Sequence, residues 1–262
     1  MDKSKKKRIV AEIFDICNKK NNFVFDNTLV RDVSIKYGFK NQHDATKLDN
    51  SDMLPDVLKQ NDLFILHIGK GKHQFVKGIR NGYHAFENIG RAEKVNRKYK
   101  RSILNEYDTS ESNILSVVAN QKIIHDFLYS GKHSEPNVYN ARRTKAKLQF
   151  YVGAVRIKTE SQQIELDQTL ELNGCVTTIE GKNGTPTDFA VYQIYYPFLY
   201  YNNIKQKDKL KIKDITCCYL LRSKVQGRSV VKIYQYTFSE PTKMDSIKLL
   251  KAKQYNLIQS DV

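Results

Sequence analysis

The feature of this sequence that most constrains its fold is an Asn-Gly pair, Asn173-Gly174, between two runs in which apolar and polar residues alternate. Asn-Gly is a preferred centre of a two-residue type I′ turn, and alternation is typical of strands with one buried face. The stretch 164–182, IELDQTLELNGCVTTIEGK, therefore predicts a β-hairpin. In the register of such a turn, Asp167 lies directly opposite Glu180.

The alternation also predicts which residues share a face of this hairpin, because successive side chains of a strand point to opposite sides. One face is mainly polar and carries Glu165, Asp167, Thr169, Thr178, Glu180 and Lys182. The other face is mainly apolar and carries Leu166, Leu170, Leu172, Cys175 and Ile179. We expect the apolar face to pack on a core and the polar face to carry the chemistry.

Two carboxylates that face each other across a hairpin destabilise it unless positive charge lies between them. Mg²⁺ supplies such charge, since it binds one or two carboxylates together with waters and phosphate oxygens. Lys182 follows Glu180 on the same face and is placed to hold an attacking water. A structural alternative is a solvated strand face on which Glu165 and Lys182 form an exposed ion pair that contributes little.

Asp167 followed by Glu180-Gly181-Lys182 resembles the motif of the PD-(D/E)XK nuclease superfamily, and most of all that of type II restriction endonucleases. The resemblance covers roughly residues 109–238, and Leu166 stands where the motif has its proline. It implies that Asp167, Glu180 and the Gly181 carbonyl bind Mg²⁺. It also implies that Lys182 positions and activates the water.

Two further site candidates follow from the resemblance. A helix precedes the catalytic hairpin in the superfamily and can add an acid, for which Glu111 is the candidate. Helix capping by the sequence 108–111, DTSE, also explains Glu111 and is the preferred interpretation. A glutamine on the helix after the E-x-K sequence recurs near the active site of some members, which makes Gln193 a candidate.

The composition indicates the partner. The chain has 262 residues, enough for one large or two modest domains, and a formal net charge of +16, which attracts a polyanion such as nucleic acid. A basic membrane-surface protein is the competing interpretation. However, no apolar run approaches the roughly 18 residues of a spanning helix, and no signal peptide is recognisable, so we expect a cytoplasmic protein.

The four cysteines lack C-x-x-C spacing and predict reduced core residues rather than a zinc site. The adjacent residues Cys217 and Cys218 lie in a strand-like run and are expected to point to opposite faces.

Two basic sequences are candidates for DNA contact. The glycine-lysine sequence 69–72 lies between two apolar strand-like runs and predicts a hairpin tip at which Lys70 and Lys72 touch a DNA backbone. Arg142 and Arg143 are candidates for contacts with guanine edges or phosphates. A solvated loop explains these two arginines equally well.

The domain organisation is predicted from a basic, polar segment at 87–100, which places a boundary near residue 105. Residues 1–104 then form a smaller α+β domain that helps to recognise DNA, and residues 105–262 form the catalytic domain. Two short N-terminal helices resemble a helix-turn-helix loosely, although ordinary helix packing is more common.

Further elements are expected after the hairpin. A helix should begin at Thr187 or Asp188 and be kinked or ended by Pro197. Residues 215–223 and 229–238 predict strands, and the basic tail from Lys243 predicts a helix.

Together these features predict a mixed β-sheet flanked by helices, with the core of a restriction endonuclease. The expected activity is Mg²⁺-dependent hydrolysis of phosphodiester bonds at a specific double-stranded DNA sequence. A homodimer and a cognate DNA methyltransferase are the expected partners. Two alternatives stay open: a noncatalytic helix-turn-helix regulator, and a structure-specific repair or RNA nuclease with the same core.

Overall fold

The computed structural model describes residues 3–99, 102–103, 110–130, 134–207, 210–225 and 228–259. The α-helices in these ranges are α1 (Lys3–Lys19), α2 (Asn27–Lys36), α3 (Asp56–Gln60), α4 (Ile79–Gly82), α5 (Glu111–Asn120), α6 (Ile123–Tyr129) and α7 (Tyr192–Gln206). Short 3₁₀ helices lie at Gln42–Asp44, Ser51–Met53, Arg91–Glu93 and Met244–Ser246.

The strands that precede the predicted hairpin are β1 (Val24–Asp26), β2 (Leu63–Gly69), β3 (Lys72–Lys77), β4 (Tyr83–Ala85), β5 (Lys94–Tyr99), β6 (Asn137–Tyr139), β7 (Arg142–Ala146), β8 (Gln149–Val152), β9 (Val155–Lys158) and β10 (Gln162–Leu166). The hairpin and the strands after it are β11 (Gln168–Leu172), β12 (Cys175–Asn183), β13 (Asp188–Ala190), β14 (Asp214–Val225), β15 (Arg228–Phe238) and β16 (Ile247–Gln259).

A seven-stranded mixed sheet with the order β5-β16-β15-β14-β12-β11-β6 organises the chain. β12 and β14 run parallel, as do β16 and β5, whereas the other neighbouring strands are antiparallel. Parallel neighbours need a crossover connection, and α7 lies in the connection between β12 and β14. The prediction of a mixed sheet flanked by helices is confirmed.

Hydrophobic cores lie on the two faces of this sheet. The smaller core packs α5 and α6 against the sheet, and the larger core packs α7 and the N-terminal helices against the other face. Cys217 belongs to the larger core and Cys218 to the smaller, so the prediction that they point to opposite faces is confirmed. Burial raises the pKa of the Cys217 thiol to about 12, which keeps it protonated.

The N-terminal part is a three-stranded sheet, β1-β3-β2, packed with helices. Asp26 caps α2, because its carboxylate accepts hydrogen bonds from the Thr28 and Leu29 amides at 3.0 and 3.1 Å. Strand β1 lies between α1 and α2 and pairs with β3. The two helices are therefore not joined by the simple turn of a helix-turn-helix.

The predicted boundary near residue 105 stays a prediction, but two strands before it pair with strands after it. β4 pairs with β13, and β5 pairs with β16 at the edge of the large sheet. The larger core likewise continues from Ile9 and Phe64 of the N-terminal part to Tyr195 and Met244.

The helix predicted to begin at Thr187 or Asp188 begins later, because Asp188 starts β13 and α7 starts at Tyr192. Pro197 lies inside α7 and does not end it, since the helix continues to Gln206. Arg142 and Arg143 lie in strand β7, which pairs with β10, so the alternative of a solvated loop is wrong.

The basic tail forms strand β16 rather than a helix, because it pairs with β15 on one side and β5 on the other. Tyr255 and Leu257 bury alternate positions of this strand in the smaller core. Long-range pairing has here overridden the helix preference of a lysine-rich sequence. Within the part of the chain that the structure describes, no helix is both long and apolar enough to cross a membrane.

Candidate active site

Strands β11 and β12 form the predicted hairpin in the predicted register. Leu172 pairs with Cys175, and Gln168 pairs with Ile179. Asn173 and Gly174 have φ angles of 54° and 84°, and the type I′ turn requires positive φ at both central positions. The turn chemistry therefore sets the register that brings Asp167 and Glu180 to one end of the hairpin.

The polar face of the hairpin is not continuous, contrary to the prediction. The chain bends at Asp167, and the residues before it pair with β7 instead of extending along β12. Leu166 and Leu170, predicted to share a face, therefore lie in different cores. Helices cover both faces of the middle of the hairpin, so Thr169 and Thr178 are each only 4% exposed.

Asp167, Glu180 and Lys182 lie together at the end of the hairpin that is farthest from the turn. Asp167 lies one position beyond the last paired residue of β11, and its Oδ2 accepts a hydrogen bond from the Gly181 amide at 3.3 Å. Lys182 Nζ lies 3.1 Å from Glu180 Oε1, and the two side chains are 19% and 12% exposed. The structure thus brings the three predicted catalytic side chains together, half-buried, beside the Gly181 backbone.

The alternative ion pair between Glu165 and Lys182 is not formed. Glu165 lies before the bend, and its carboxylate contacts Arg143 Nε at 3.2 Å and Lys47 Nζ at 3.6 Å. The bend at Asp167 is the reason, because it takes β10 away from β12 and towards β7.

The three side chains line a cleft of about 940 Å³ between the N-terminal part and the large sheet. Lys70 and Lys72 line it from the turn between β2 and β3, and Arg143 lines it from β7. Arg142 does not line it, because neighbours on a strand point to opposite sides and its Nη2 donates to Tyr201 Oη at 2.6 Å. Three of the four predicted DNA contacts therefore share the cleft with the acids.

Gln193 also lines the cleft, as predicted. Its amide donates to Asp49 Oδ1 at 3.0 Å, and its carbonyl accepts from Tyr219 Oη at 3.1 Å. Tyr219 is the register partner of Glu180 between the parallel strands β12 and β14. Gln193 thus connects Asp49 to β14, the strand that pairs with the E-x-K strand β12.

Asp49 is a functional candidate that the sequence analysis missed. It belongs to the N-terminal part, lines the cleft, and accepts the Ala190 amide through its backbone carbonyl at 2.9 Å. A second hydrogen bond joins the same two segments, because the Asp188 carboxylate accepts the Ser51 amide at 2.8 Å. The surrounding sequence, Asp49-Asn50-Ser51, matches no catalytic motif, so only the tertiary contacts reveal it.

The further acid candidate, Glu111, is the first residue of α5. The cap of this helix is Ser110, whose Oγ accepts the Asn113 amide at 3.2 Å. The Glu111 side chain, together with Asp108 and Thr109, lies outside the described residues.

The donor atoms at the end of the hairpin are compatible with Mg²⁺. In the described ranges, no group of three or more His, Cys, Asp or Glu side chains is arranged to hold a metal ion. Mg²⁺ does not need such a group, because it commonly retains waters and takes phosphate oxygens beside one or two carboxylates. Asp167 and Glu180 are two such carboxylates, and the Gly181 carbonyl is a further oxygen nearby.

Residues 78–256 match a family described as a domain of unknown function, DUF6997, and residues 6–75 match another, DUF6996. The first match covers more than half of the chain, which therefore belongs to the DUF6997 family. No curated protein and no solved structure matches the chain. The cleft is lined from both matched regions, by Asp49, Lys70 and Lys72 on one side and by Asp167 and Glu180 on the other.

Proposed function

We propose that this protein is a Mg²⁺-dependent endodeoxyribonuclease with a PD-(D/E)XK core, which cuts double-stranded DNA at a specific sequence as type II restriction endonucleases do. The observation that carries the proposal is the meeting of Asp167, Glu180 and Lys182 at one end of a hairpin, in a cleft lined with basic side chains. Helices α5 and α6 precede this hairpin and α7 follows it, which is the order that the resemblance implies.

Each residue of the site has a part in the proposed hydrolysis. Asp167, Glu180 and the Gly181 carbonyl would hold Mg²⁺, which supplies the positive charge that acidifies a water and stabilises the leaving oxygen. Lys182 holds the attacking water in line with the phosphorus and offsets negative charge in the transition state. Glu180 Oε1, 3.1 Å from Lys182 Nζ, orients the ammonium group.

The substrate class is supported by charge. The net charge of +16 attracts the DNA backbone, and the cleft presents basic side chains at which phosphates can bind: Lys47, Lys70, Lys72, Arg143, Lys145 and Lys182. Cutting both strands of a symmetric site takes two active sites, so we propose a two-fold dimer. A cytoplasmic location and a methyltransferase that protects the host sequence complete the proposal.

The test is incubation of the purified chain with phage DNA, with and without Mg²⁺. Discrete bands that require Mg²⁺ are expected. Asp167→Ala and Glu180→Ala should abolish cleavage yet still shift DNA on a gel in EDTA, since phosphate and base contacts lie elsewhere. Glu165→Gln, which alters an acid outside the catalytic group, is the matched control and should cleave.

Three results would contradict the proposal. Intact DNA in Mg²⁺ excludes the nuclease, and wild-type cleavage by Glu180→Ala excludes the site. A smear, or cleavage of branched DNA or RNA alone, shows instead a nonspecific nuclease, a repair nuclease or an RNA nuclease.

A further inference from the structure

Two histidines on the N-terminal wall of the cleft form a hydrogen-bonded pair. His67 of β2 and His73 of β3 are register partners, and their Nδ1 atoms lie 2.9 Å apart. His73 Nε2 lies 2.8 Å from Oδ1 of Asn27, the first residue of α2. All three residues line the cleft.

The order of these bonds determines where the protons lie. Asn27 Oδ1 can only accept, so His73 carries its proton on Nε2 and its Nδ1 is a bare acceptor. His67 must then donate from Nδ1, which leaves a lone pair on its Nε2. Burial lowers the pKa of His67 to about 4 and that of His73 to about 3, so both rings are neutral at physiological pH.

His67 Nε2 is buried and has no hydrogen-bond partner within the described chain. A second such acceptor is Gln162 Oε1, at the start of β10. Gln162 is 7% exposed and lines the same cleft, and its amide nitrogen is already engaged with the Gln163 carbonyl at 2.8 Å.

The two acceptors come from elements that pack closely together. The Ile68 carbonyl of β2 accepts the Glu160 amide at 3.0 Å, two residues before Gln162. A Cβ at Gly69 would clash with the Glu160 carbonyl group and lie 3.0 Å from the Gln162 backbone nitrogen, so glycine is needed for this approach. Buried acceptors without partners are rare and unfavourable in native proteins, and a bound group with N–H donors would satisfy them.

We infer that His67 and Gln162 form a base-reading subsite that accepts a hydrogen bond from the exocyclic amino group of adenine or cytosine. In the major groove these amino groups are the donors, whereas guanine and thymine present acceptors that would leave His67 and Gln162 unpaired. Lys70 and Lys72, at the tip of the hairpin that carries His67, are placed for the neighbouring phosphates. This inference rests on the proposed function, since it assigns part of the sequence preference to the N-terminal wall.

The test is a binding selection in EDTA, in which the full-length protein enriches sequences from a pool of randomised DNA duplexes. At one base pair of the selected site, replacing the exocyclic amino group of adenine or cytosine by hydrogen should weaken binding by about tenfold, the scale of one base-edge hydrogen bond. His67→Phe keeps a ring but removes the acceptor, and should lose this preference for the amino group while the other positions keep their preferences. Gln162→Leu should weaken the preference at the same position.

His67→Gln retains an acceptor oxygen and should restore the preference in part, and its thermal unfolding separates lost recognition from lost folding. His125→Phe, on α6 and outside the cleft lining, is the matched control and should select the wild-type site. An unchanged preference for the amino group in both His67→Phe and Gln162→Leu overturns the inference.

The two proposals fail separately. A preference for the amino group that both variants lose, without Mg²⁺-dependent cleavage, would keep the subsite and reject the nuclease. Cleavage without any preference lost in the variants would keep the nuclease and reject the subsite.

Discussion

At the scale of single residues, Lys182 owes its place to strand geometry. It follows Glu180 by two positions on β12, so both side chains project from the same face, and Nζ lies 3.1 Å from Glu180 Oε1. Glu165 was the alternative partner, but it pairs with Arg143 and Lys47 on the far side of the bend. A mutation of Glu165 therefore leaves the pair of Glu180 and Lys182 intact, and the roles of the two acids can be tested separately.

We predict that Lys182→Met lowers the single-turnover cleavage rate by at least about 100-fold and leaves DNA affinity nearly unchanged. The reason is that the ammonium charge matters most when negative charge develops in the transition state. Rates measured with Mg²⁺ at saturating enzyme, and affinities measured in EDTA, provide the check.

Glu165→Gln is the control for this prediction and should keep a rate close to that of the wild type, because its partners are exposed basic side chains. Similar rates for the two variants would show that Lys182 is only a structural ion-pair partner.

At the scale of elements, Glu171 secures the turn on which the active-site register depends. Its Oε1 accepts the Gly174 amide at 2.7 Å, and its Oε2 accepts Asn137 Nδ2 of β6 at 2.8 Å. The hydrogen bond from Gly174, followed by that from Asn137, lowers the pKa of Glu171. A carboxylate with a lowered pKa stabilises the fold in its ionised form.

Glu171→Gln should therefore reduce the free energy of unfolding at pH 7 by about 0.5 to 1 kcal/mol, since the charge-assisted bonds are weakened. The difference in free energy of unfolding between the wild type and the variant is fully present above the unfolded pKa of about 4.3. It is lost as pH falls through the lower pKa of the folded state. Urea denaturation at pH 7 and below pH 3 should show the difference shrinking in acid. Glu93→Gln, at an exposed position, is the control, and a constant difference at both pH values would contradict the prediction.

The start of α7 is the second element on which the site depends. Gln193 is held between Asp49 and Tyr219 at 3.0 and 3.1 Å, so Asp49→Ala should free its side chain. We expect a cleavage rate about 10- to 100-fold lower, as is usual when a supporting contact of an active site is lost. Asp49→Asn keeps an acceptor and should recover most of the rate, whereas exposed Asp52→Ala should cleave normally. An unimpaired Asp49→Ala enzyme would mean that Gln193 needs no such support.

At the scale of the whole molecule, the N-terminal part shares a hydrophobic core with the rest of the chain. Its residues Ile9, Leu58 and Phe64 are fully buried in the larger core, which also holds α7 and one face of the sheet. Val191, at the start of α7, donates its amide to the Gly82 carbonyl at 2.9 Å. The N-terminal part and the rest of the chain therefore support each other.

Residues 105–262 expressed alone should consequently fail to show a cooperative thermal transition, because β16 loses its partner β5 and the larger core loses its N-terminal half. As a control, the full-length protein with a protease site inserted at 104–109 should, after cutting, elute as one species on gel filtration. A soluble, cooperatively folded fragment 105–262 would show that the shared core is dispensable.

Features that depend on residues only a few positions apart could be predicted from the sequence. Asn173-Gly174 set the type I′ turn and with it the pairing of β11 and β12, and Asp26 set the start of α2, because both depend on residues within a few positions. The nearness of Asp167, Glu180 and Lys182 was predictable for the same reason. The basic hairpin tip at Lys70 and Lys72 was predictable in the same way.

Features that depend on partners distant in the sequence follow from the packing of the folded chain. The bend at Asp167 arises because β7 takes β10 as its partner, and the basic tail becomes β16 because two strands hydrogen-bond to it. Asp49 joins Gln193 across 144 residues of sequence. Such contacts depend on which surfaces remain after the core has packed, and the local preferences of a sequence do not contain that information.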